Sequence, residues 1–104
     1  MNMHNPPHPG EFIKATYLDP FNISQNEMAD NLGVARSTFN RVVRGDNGVS
    51  PEMACRLSKV IGRSAESWLS MQAQYDLYAA KQTTNLKGLK KFKFDERGTC
   101  PGIE

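Results

Sequence analysis

The sequence lacks the long apolar run that a membrane-spanning helix requires, and it has only two cysteines in 104 residues. Its polar start, MNMHNPPH, also lacks the apolar core of a secretory signal peptide. Cys55 and Cys100 do not make a disulfide framework of the kind that holds small secreted domains together. Cys55 falls in a helical pattern beside apolar positions and is expected in the core, whereas Cys100 lies in a polar tail. We therefore expect a cytoplasmic protein with no membrane partner.

Residues typical of catalysis and metal binding are also scarce. No glycine-rich phosphate loop follows a strand pattern, because Gly45 and Gly48 bracket a loop that leads into a helix. His4 and His8 stand among prolines, so they cannot share a helix face as zinc ligands, and the cysteines lie far from them in sequence. We expect no catalytic residue, no metal site and no cofactor, and the protein is not predicted to be an enzyme.

Helix start and stop signals alternate along the chain and predict five helices. The starts carry a proline or a capping serine, at Pro9, Ser24, Ser50 and Ser64. The breaks fall at Asp19-Pro20, Gly33, the loop 45–48 and Gly62. The predicted organisation is an irregular segment 1–8, an all-α domain 9–81 and a basic C-terminal tail 82–104. Apolar and basic residues alternate imperfectly at 86–94. This pattern is compatible with a short strand or with a disordered basic segment, and the sequence does not distinguish the two.

The second and third helices have the pattern of a helix-turn-helix. In the second helix, apolar residues stand at i, i+1 and i+4, which are Met28, Ala29 and Leu32. In the third helix they stand at i, i+3 and i+4, which are Phe39, Val42 and Val43. Gly33 lies where a tight turn between helices requires positive φ, and Ala29 is small where the third helix crosses closely. This arrangement predicts a unit whose second helix lies in the DNA major groove. An ordinary helical hairpin is the alternative.

Polar residues that suit DNA occupy the outward face of the third helix. They are Arg36, Ser37, Thr38, Asn40, Arg41 and Arg44. No acidic residue occurs between Asp30 and Asp46, and residues 36–63 carry six basic and two acidic side chains. Residues 1–35, by contrast, carry one basic and four acidic side chains. This concentration of positive charge predicts double-stranded DNA as the partner.

Two kinds of DNA contact are expected from the positions of these residues. Arg36, Ser37, Asn40 and Arg41 are predicted to face base edges, because arginine pairs with guanine and asparagine with adenine. Phosphate contacts are predicted at the start of the second helix, the flank of the third and the loop after it, through Gln25, Thr38, Arg44 and Asn47. The helix N-termini at Ser24 and Ser50 would add backbone donors.

The fifth helix is more apolar than the last helix of a small domain needs to be. One stripe, near Trp68, Leu69 and Tyr75, can close the core against the first and fourth helices. The remaining apolar side chains, including Met71 and Tyr78, would stay exposed on a monomer. Tyrosine and tryptophan are also favoured in interfaces. We therefore predict a homodimer formed by this C-terminal helix, with interface residues Trp68, Met71, Tyr75 and Tyr78. A longer core within one chain is the alternative explanation.

Four segments together resemble one protein family. They are HPGEFI at 8–13, QNEMADNLGVARSTFNRVVRG at 25–45, SPEMACRLSKVIG at 50–62 and SAESWLSMQAQYDL at 64–77. These are similar to the HigA-type antitoxins, the VapI-like branch of the lambda-repressor-like (Xre) helix-turn-helix superfamily. The resemblance covers roughly residues 8–81. It implies a protein that dimerises, represses its own operon at a palindromic operator, and silences a RelE-like, mRNA-cleaving toxin from the same operon.

Other functions stay open on sequence alone. One is a free-standing or phage-type repressor without a toxin, and another is a protein-interaction module that has lost DNA binding. For a toxin partner, the acidic first third is the expected contact, because its charge would attract a basic RNA-cleaving protein. The acids are Glu11, Asp19, Glu27 and Asp30, and residues before Pro9 are included. The basic tail 82–104 is the alternative contact.

Overall fold

A computed structural model describes residues 5–94, within which the chain forms five α-helices and no strand. The helices are α1 Pro9–Ile13, α2 Gln25–Leu32, α3 Arg36–Arg44, α4 Pro51–Val60 and α5 Ala65–Thr83. Helix α1 continues as a π-helical turn over Lys14–Leu18. The predicted five-helix, all-α helix-turn-helix fold is confirmed. His4 and Cys100, which figure in the sequence expectations, lie outside the described residues.

Three serines cap helices where the sequence predicts them. Ser24 Oγ accepts a hydrogen bond from the Glu27 amide at 3.0 Å, which starts α2. Ser50 caps α4 in the same way, and Ser64 caps α5. Each hydroxyl satisfies an amide that the first helical turn leaves without a backbone partner. The starts of these helices are therefore set by contacts within a few residues of the chain.

A single hydrophobic core joins all five helices, and Trp68 is at its centre. Trp68 is fully buried, and its indole N–H donates to the Gly62 carbonyl at 2.9 Å. The rings of Phe12 and Tyr17 pack around the indole. The expected place of Trp68 in a dimer interface is therefore wrong, because the side chain is already enclosed within one chain. Its partners come from α1 and the π-helical turn, which agrees with the expectation that this stripe of α5 closes the core against the first helix.

Helix α4 buries a narrower stripe than its apolar content indicates. Met53, Ala54 and Leu57 face the core, whereas Cys55 is exposed. Each residue rotates by about 100° along a helix, so Cys55 lies on the side opposite Met53 and Leu57. The expectation that Cys55 is a core residue is wrong. An apolar neighbour in sequence is not a neighbour on the helix surface.

The segment after α5 is exposed over its described length. Every residue from 84 to 94 is exposed, including Leu86, Leu89 and Phe94. A turn at Lys87 and Gly88, where Gly88 has a φ of +87°, bends the segment. No strand forms at 86–94 within the described residues, so that alternative for the tail is excluded. None of the helices in the described range is long and apolar enough to cross a membrane.

Candidate nucleic-acid interface

The turn between α2 and α3 has the geometry that the sequence predicts. Gly33 adopts φ of +74°, a left-handed conformation that favours glycine. Its amide, together with that of Val34, returns to carbonyls in the last turn of α2. Ala29 is fully buried where α3 approaches. The turn therefore fixes the angle between the two helices through backbone bonds and close packing.

Arg56 of α4 reinforces this turn, a role that sequence reasoning missed. Its Nη1 donates to the Leu32 carbonyl at 2.9 Å and lies 3.4 Å from the Gly33 carbonyl. Its Nη2 forms an ion pair with Glu52 at 3.0 Å on the same helix. The guanidinium thus satisfies carbonyls at the end of α2 that the helix itself leaves open. The spacing of Glu52 and Arg56, four residues apart on α4, is the signal available in the sequence, but it does not reveal the bond to the turn.

Helix α3 presents a narrow polar face opposite its buried stripe. Phe39, Val42 and Val43 are buried against the core, and the remaining positions point outward to different degrees. Arg36, Ser37, Arg41 and Arg44 are exposed, and Thr38 and Asn40 are half-buried. At about 100° per residue, Ser37, Arg41 and Arg44 lie near the middle of the exposed face. Arg36 and Asn40 lie on the side nearer α2, and Thr38 lies on the side nearer α4.

Two of the three arginines on this face are held by acids from outside the helix. Arg36 makes a two-pronged ion pair with Asp30 of α2, with N–O distances of 3.0 and 2.7 Å. This hydrogen bonding lowers the pKa of Asp30 and raises the pKa of Arg36. Arg44 pairs with Asp46 at 3.2 Å. Arg41 has no ion pair within the part of the chain that is described. The arginine best placed to meet an added anion is therefore Arg41.

Asn40 lies closer to α2 than a purely outward residue would. Its amide nitrogen is 3.5 Å from the Asn26 side-chain oxygen, and its own Oδ1 is buried with no hydrogen-bond donor among the described residues. A buried polar atom without a partner carries a desolvation cost of about 1–3 kcal/mol. Asn40 thus has an unused acceptor at the junction of the two helices. It sits at the edge of the exposed face rather than at its centre.

The expected phosphate-contacting residues lie around the rim of this face. Gln25 is half-buried in the first turn of α2, and Asn47 is exposed in the loop after α3. Thr38 lines a cleft of about 140 Å³ together with Ser50 and Arg56, beside the N-terminus of α4. The N-termini of α2 and α4 thus lie on either side of α3, where their amides would face an anion.

A small polar cluster supports the loop 45–50 from inside. Gln72 of α5 is buried, and its Oε1 accepts from the Val49 amide at 2.8 Å while its Nε2 donates to Asp76. His8 is also buried and packs edge-on against Tyr75, with ring centroids 4.9 Å apart. Tyr75, predicted for the dimer interface, is therefore half-buried against the N-terminal segment. The cluster links the start of the chain, this loop and α5.

The outer side of α5 keeps an apolar surface. Leu77 is 56% exposed, and with Gln74, Tyr78 and Lys81 it lines a cleft of about 180 Å³. Met71 is half-buried and packs against the core. The dimer-interface residues predicted from the sequence did not include Leu77, although it is the most exposed large apolar residue of this helix.

The fold and the polar face of α3 define a DNA-binding helix-turn-helix protein of the antitoxin type. Residues 14–68 match the Helix-turn-helix family, and the chain belongs to that family. It is 38% identical to the uncharacterized HTH-type transcriptional regulator YddM of Escherichia coli K12, over 88% of this chain and 96% of that protein. The prediction that the protein is not an enzyme is confirmed by this membership.

Solved antitoxin structures share the whole fold. Antitoxin GraA, at 33% identity, superposes with a TM-score of 0.80 over 88% of this chain and all of that one. GraA has also been solved in complex with its operator. The Pseudomonas aeruginosa antitoxin HigA with the higBA promoter, at 32% identity, gives a TM-score of 0.74 over 94% of this chain and 99% of that one. The resemblance to HigA-type antitoxins drawn from the sequence is confirmed.

Proposed function

We propose that this protein is the antitoxin of a type II toxin–antitoxin pair, and that it represses its own operon by binding a palindromic operator. The observation that carries the proposal is the exposed face of α3, centred on Arg41 and presented by a turn that Arg56 and Gly33 hold. The operator and promoter complexes of GraA and HigA support it, since those proteins have the same fold.

Residue roles on the DNA follow from position on this face. Arg41 and Ser37 face base edges, with Arg36 and Asn40 reaching bases on the side nearer α2. Thr38, Arg44, Asn47 and Gln25 hold phosphates around the rim. Arg36 and Arg44 are already paired with acids, so binding to DNA exchanges those pairs for contacts with the nucleic acid. Exposed ion pairs contribute little to stability, so this exchange costs little.

The homodimer forms through the outer side of α5. Leu77 and Tyr78, with Met71 and the exposed edge of Tyr75, supply the apolar contact. A two-fold axis there would place two copies of α3 about 34 Å apart, one turn of B-DNA. An exposed leucine in an apolar cleft favours burial against a second copy. The operator is palindromic because the dimer is two-fold symmetric.

The toxin partner is a basic, RelE-like, mRNA-cleaving protein that docks on α1 and the start of α2. Not all acidic side chains of this region are equally free to contact a basic toxin. All four acids are exposed, but Asp19 pairs with Lys14 and Asp30 with Arg36. Glu11 and Glu27 form no ion pair among the described residues. These two carboxylates are therefore the ones expected to attract a basic toxin. A free-standing regulator is the second candidate, because the name of YddM mentions transcription alone.

The DNA half is tested by titrating the full chain against labelled duplexes from its own upstream region and against shuffled duplexes. Arg41→Ala should weaken operator binding by about 1–3 kcal/mol and relax the preference at one base position. Lys59→Ala is the matched control, because Lys59 is an exposed basic residue on another helix. Equal affinity of the wild type for operator and shuffled DNA would reject the proposal. Unchanged binding by Arg41→Ala would reject the role of that residue.

The toxin half is tested by co-purification and by growth rescue with the RelE-sized reading frame next to this one. Glu11→Lys with Glu27→Lys should weaken both readouts if the toxin docks on the first helices. Glu66→Lys is the control, since Glu66 is an exposed acid on α5. Loss of rescue only after charge reversal at Lys87 and Lys90 would move the contact to the tail. The absence of any neighbouring toxin frame would favour the free-standing regulator.

A further inference from the structure

Six side chains form a continuous stripe along the outer side of α5. Their positions alternate in steps of four and three residues, at Arg63, Ser67, Ser70, Gln74, Leu77 and Lys81. They line two neighbouring clefts, of about 360 and 180 Å³, which have Gln74 in common. Trp68 and Gln72, the buried residues of this helix, lie on the opposite side at about 100° per residue. Alternating steps of four and three are the spacing of a seam between two paired helices.

Gln74 is at the middle of both the helix and the stripe. Helix α5 has 19 residues from Ala65 to Thr83, so nine lie on each side of Gln74. The stripe reaches seven positions from Gln74 in each direction, to Ser67 and to Lys81. A second copy running antiparallel, with a two-fold axis at Gln74, would therefore set the seam positions of one helix against those of the other.

The two halves of the stripe complement each other in size. In such a pair, Leu77 of one copy faces Ser70 of the other, so a large exposed side chain meets a small one. Met71 and Tyr78, half-buried beside the stripe, face each other across the axis, where a thioether and an aromatic ring pack favourably. Gln74 faces its own counterpart, and two primary amides can donate to and accept from each other. The outer side of α5 is therefore complementary to itself.

The charges of the stripe favour the antiparallel direction over the parallel one. Arg63 and Lys81 form no ion pair among the residues that the structure describes. A parallel pair would bring each of them to its own counterpart, and like charges repel. In the antiparallel pair, Arg63 reaches the last turn of the partner's α5, whose carbonyl groups lack helical partners and carry negative partial charge. Lys81 then lies beside Glu66 in the first turn of the partner's α5.

Arg63 is held at the end of the stripe by three contacts. Its Nε donates a hydrogen bond to Ser67 Oγ at 3.2 Å. Its guanidinium lies over the rings of Phe12 and Trp68, with distances of 5.2 and 5.7 Å from Cζ to the ring centroids. These contacts hold a backbone with φ of +64°, which residues other than glycine rarely adopt. The two Nη nitrogens form no hydrogen bond within residues 5–94, so they are available to a partner.

We propose that two copies of this chain pair antiparallel along the outer side of α5, with Gln74 on the two-fold axis and Arg63 of each copy capping the C-terminus of the partner's α5. The inference rests on the homodimer of the proposed function and specifies its register. A polar residue at a central seam position fixes the register, because a shift of one helix along the other leaves its amide against an apolar side chain. Gln74 is thus the residue that determines how the two copies align.

Cross-linking of single cysteines measures the register. The background is the full chain with Cys55→Ser and Cys100→Ser, which removes both native thiols. Gln74→Cys should link to its own counterpart through a bis-maleimide with a two-carbon spacer. Ser67→Cys alone and Lys81→Cys alone should not link, because the two copies of either position lie about 21 Å apart at 1.5 Å per residue. A mixture of these two variants, equilibrated before the reagent is added, should link.

Three further variants separate the seam from the rest of the helix. Ala79→Cys is the matched control, because Ala79 is exposed on another side of α5, and it should give no linked dimer. Gln74→Leu should dimerise about tenfold more tightly in sedimentation, since a polar pair in a seam costs stability. Arg63→Gln should weaken the dimer about fivefold at low salt and by less at high salt, since salt screens the capping charge. Weaker pairing of Gln74→Leu, or a loss in Arg63→Gln that does not depend on salt, would overturn the role of that residue.

The outcomes separate this inference from the function on which it rests. Self-linking of Ser67→Cys and of Lys81→Cys would show a parallel pair and overturn the inference. A wild type that is dimeric in sedimentation while Gln74→Cys gives no linked species would also overturn it, and would place the dimer interface elsewhere. A wild type that is monomeric at tens of micromolar overturns the homodimer itself. Operator titration of the wild type reports separately on the DNA-binding part of the proposed function.

Discussion

Gly10 of α1 lies directly on the backbone of α3 at Val42. A Cβ atom at position 10 would lie 2.7 Å from the Val43 Cα and still closer to the Val42 carbonyl oxygen. Helix α1 therefore crosses α3 with backbone against backbone, and no side chain fits between them at this point. The HPGE opening has a physical explanation in this contact: His8 caps, Pro9 starts the helix, Gly10 permits the approach and Glu11 faces solvent.

Gly10→Ala should destabilise the protein by about 3 kcal/mol, because the added methyl group meets backbone atoms that cannot move independently. The midpoint of chemical unfolding measures this. Glu11→Ala, one residue further in the same turn, is the control and should change stability by less than about 0.5 kcal/mol. A Gly10→Ala protein as stable as the wild type would show that α1 can shift away from α3 at no cost.

Arg56→Ala should lower the free energy of unfolding by about 1–2 kcal/mol, since the Leu32 and Gly33 carbonyls lose a charged donor. Operator affinity should fall as well, although Arg56 lies outside the exposed face of α3, because the turn that orients α3 loosens. Lys59→Ala removes a charge from the same helix without touching the turn. If both variants weaken DNA binding equally, Arg56 acts through charge and not through the turn.

Asp30→Asn should raise operator affinity by about two- to fivefold, because it removes an acid beside the DNA face and frees Arg36. Its effect on stability should depend on pH. The lowered pKa of Asp30 means that its stabilising contribution is present above its ordinary value near 3.8 and is lost as the pH falls through the folded value. Unfolding titrations of variant and wild type should therefore converge in acid. A weaker operator complex would contradict the prediction and assign Asp30 a role in orienting Arg36 for base contact.

Tyr78→Glu should disrupt the homodimer while leaving the fold of each chain in place, because Tyr78 lines the outer cleft of α5 and the core is closed by Trp68. Sedimentation should show a monomer at concentrations where the wild type is a dimer, and operator affinity should fall with it. Ala79→Glu adds the same charge one residue along, on another side of the helix, and should leave the dimer intact. A wild-type protein that is monomeric at tens of micromolar would remove the dimer from the proposal.

The helices could be predicted from the sequence because their signals are local. Ser24 and Ser50 accept hydrogen bonds from amides three residues away, and the turn at Gly33 depends only on the positive φ of that residue. The buried stripe of α3 follows from periodicity alone, since Phe39 and Val43 recur on one face. These features depend on distances of a few residues along the chain, over which sequence spacing and spatial spacing correspond.

Contacts between distant segments could not be predicted in the same way. Arg56 meets Leu32 across 24 positions, and Gln72 meets Val49 across 23. The ion pair between Arg36 and Asp30 could not be predicted, because the acid lies on the preceding helix. The sequence shows correctly that α3 itself contains no acidic residue. The sequence placed Trp68 both in the core-closing stripe of α5 and, by its residue type, in the interface, and the packing of Phe12 from α1 shows that it belongs to the core.

Trp68 also gives the protein a built-in optical signal. It is the one tryptophan in the chain, it is fully buried, and its N–H has a fixed partner in the Gly62 carbonyl. Its fluorescence should therefore be blue-shifted in the native state and should shift to the red when the core opens. Because the indole lies within the core and away from the exposed face of α3, DNA contact should leave the emission unchanged. Fluorescence can thus distinguish a variant that no longer folds from one that folds but no longer binds.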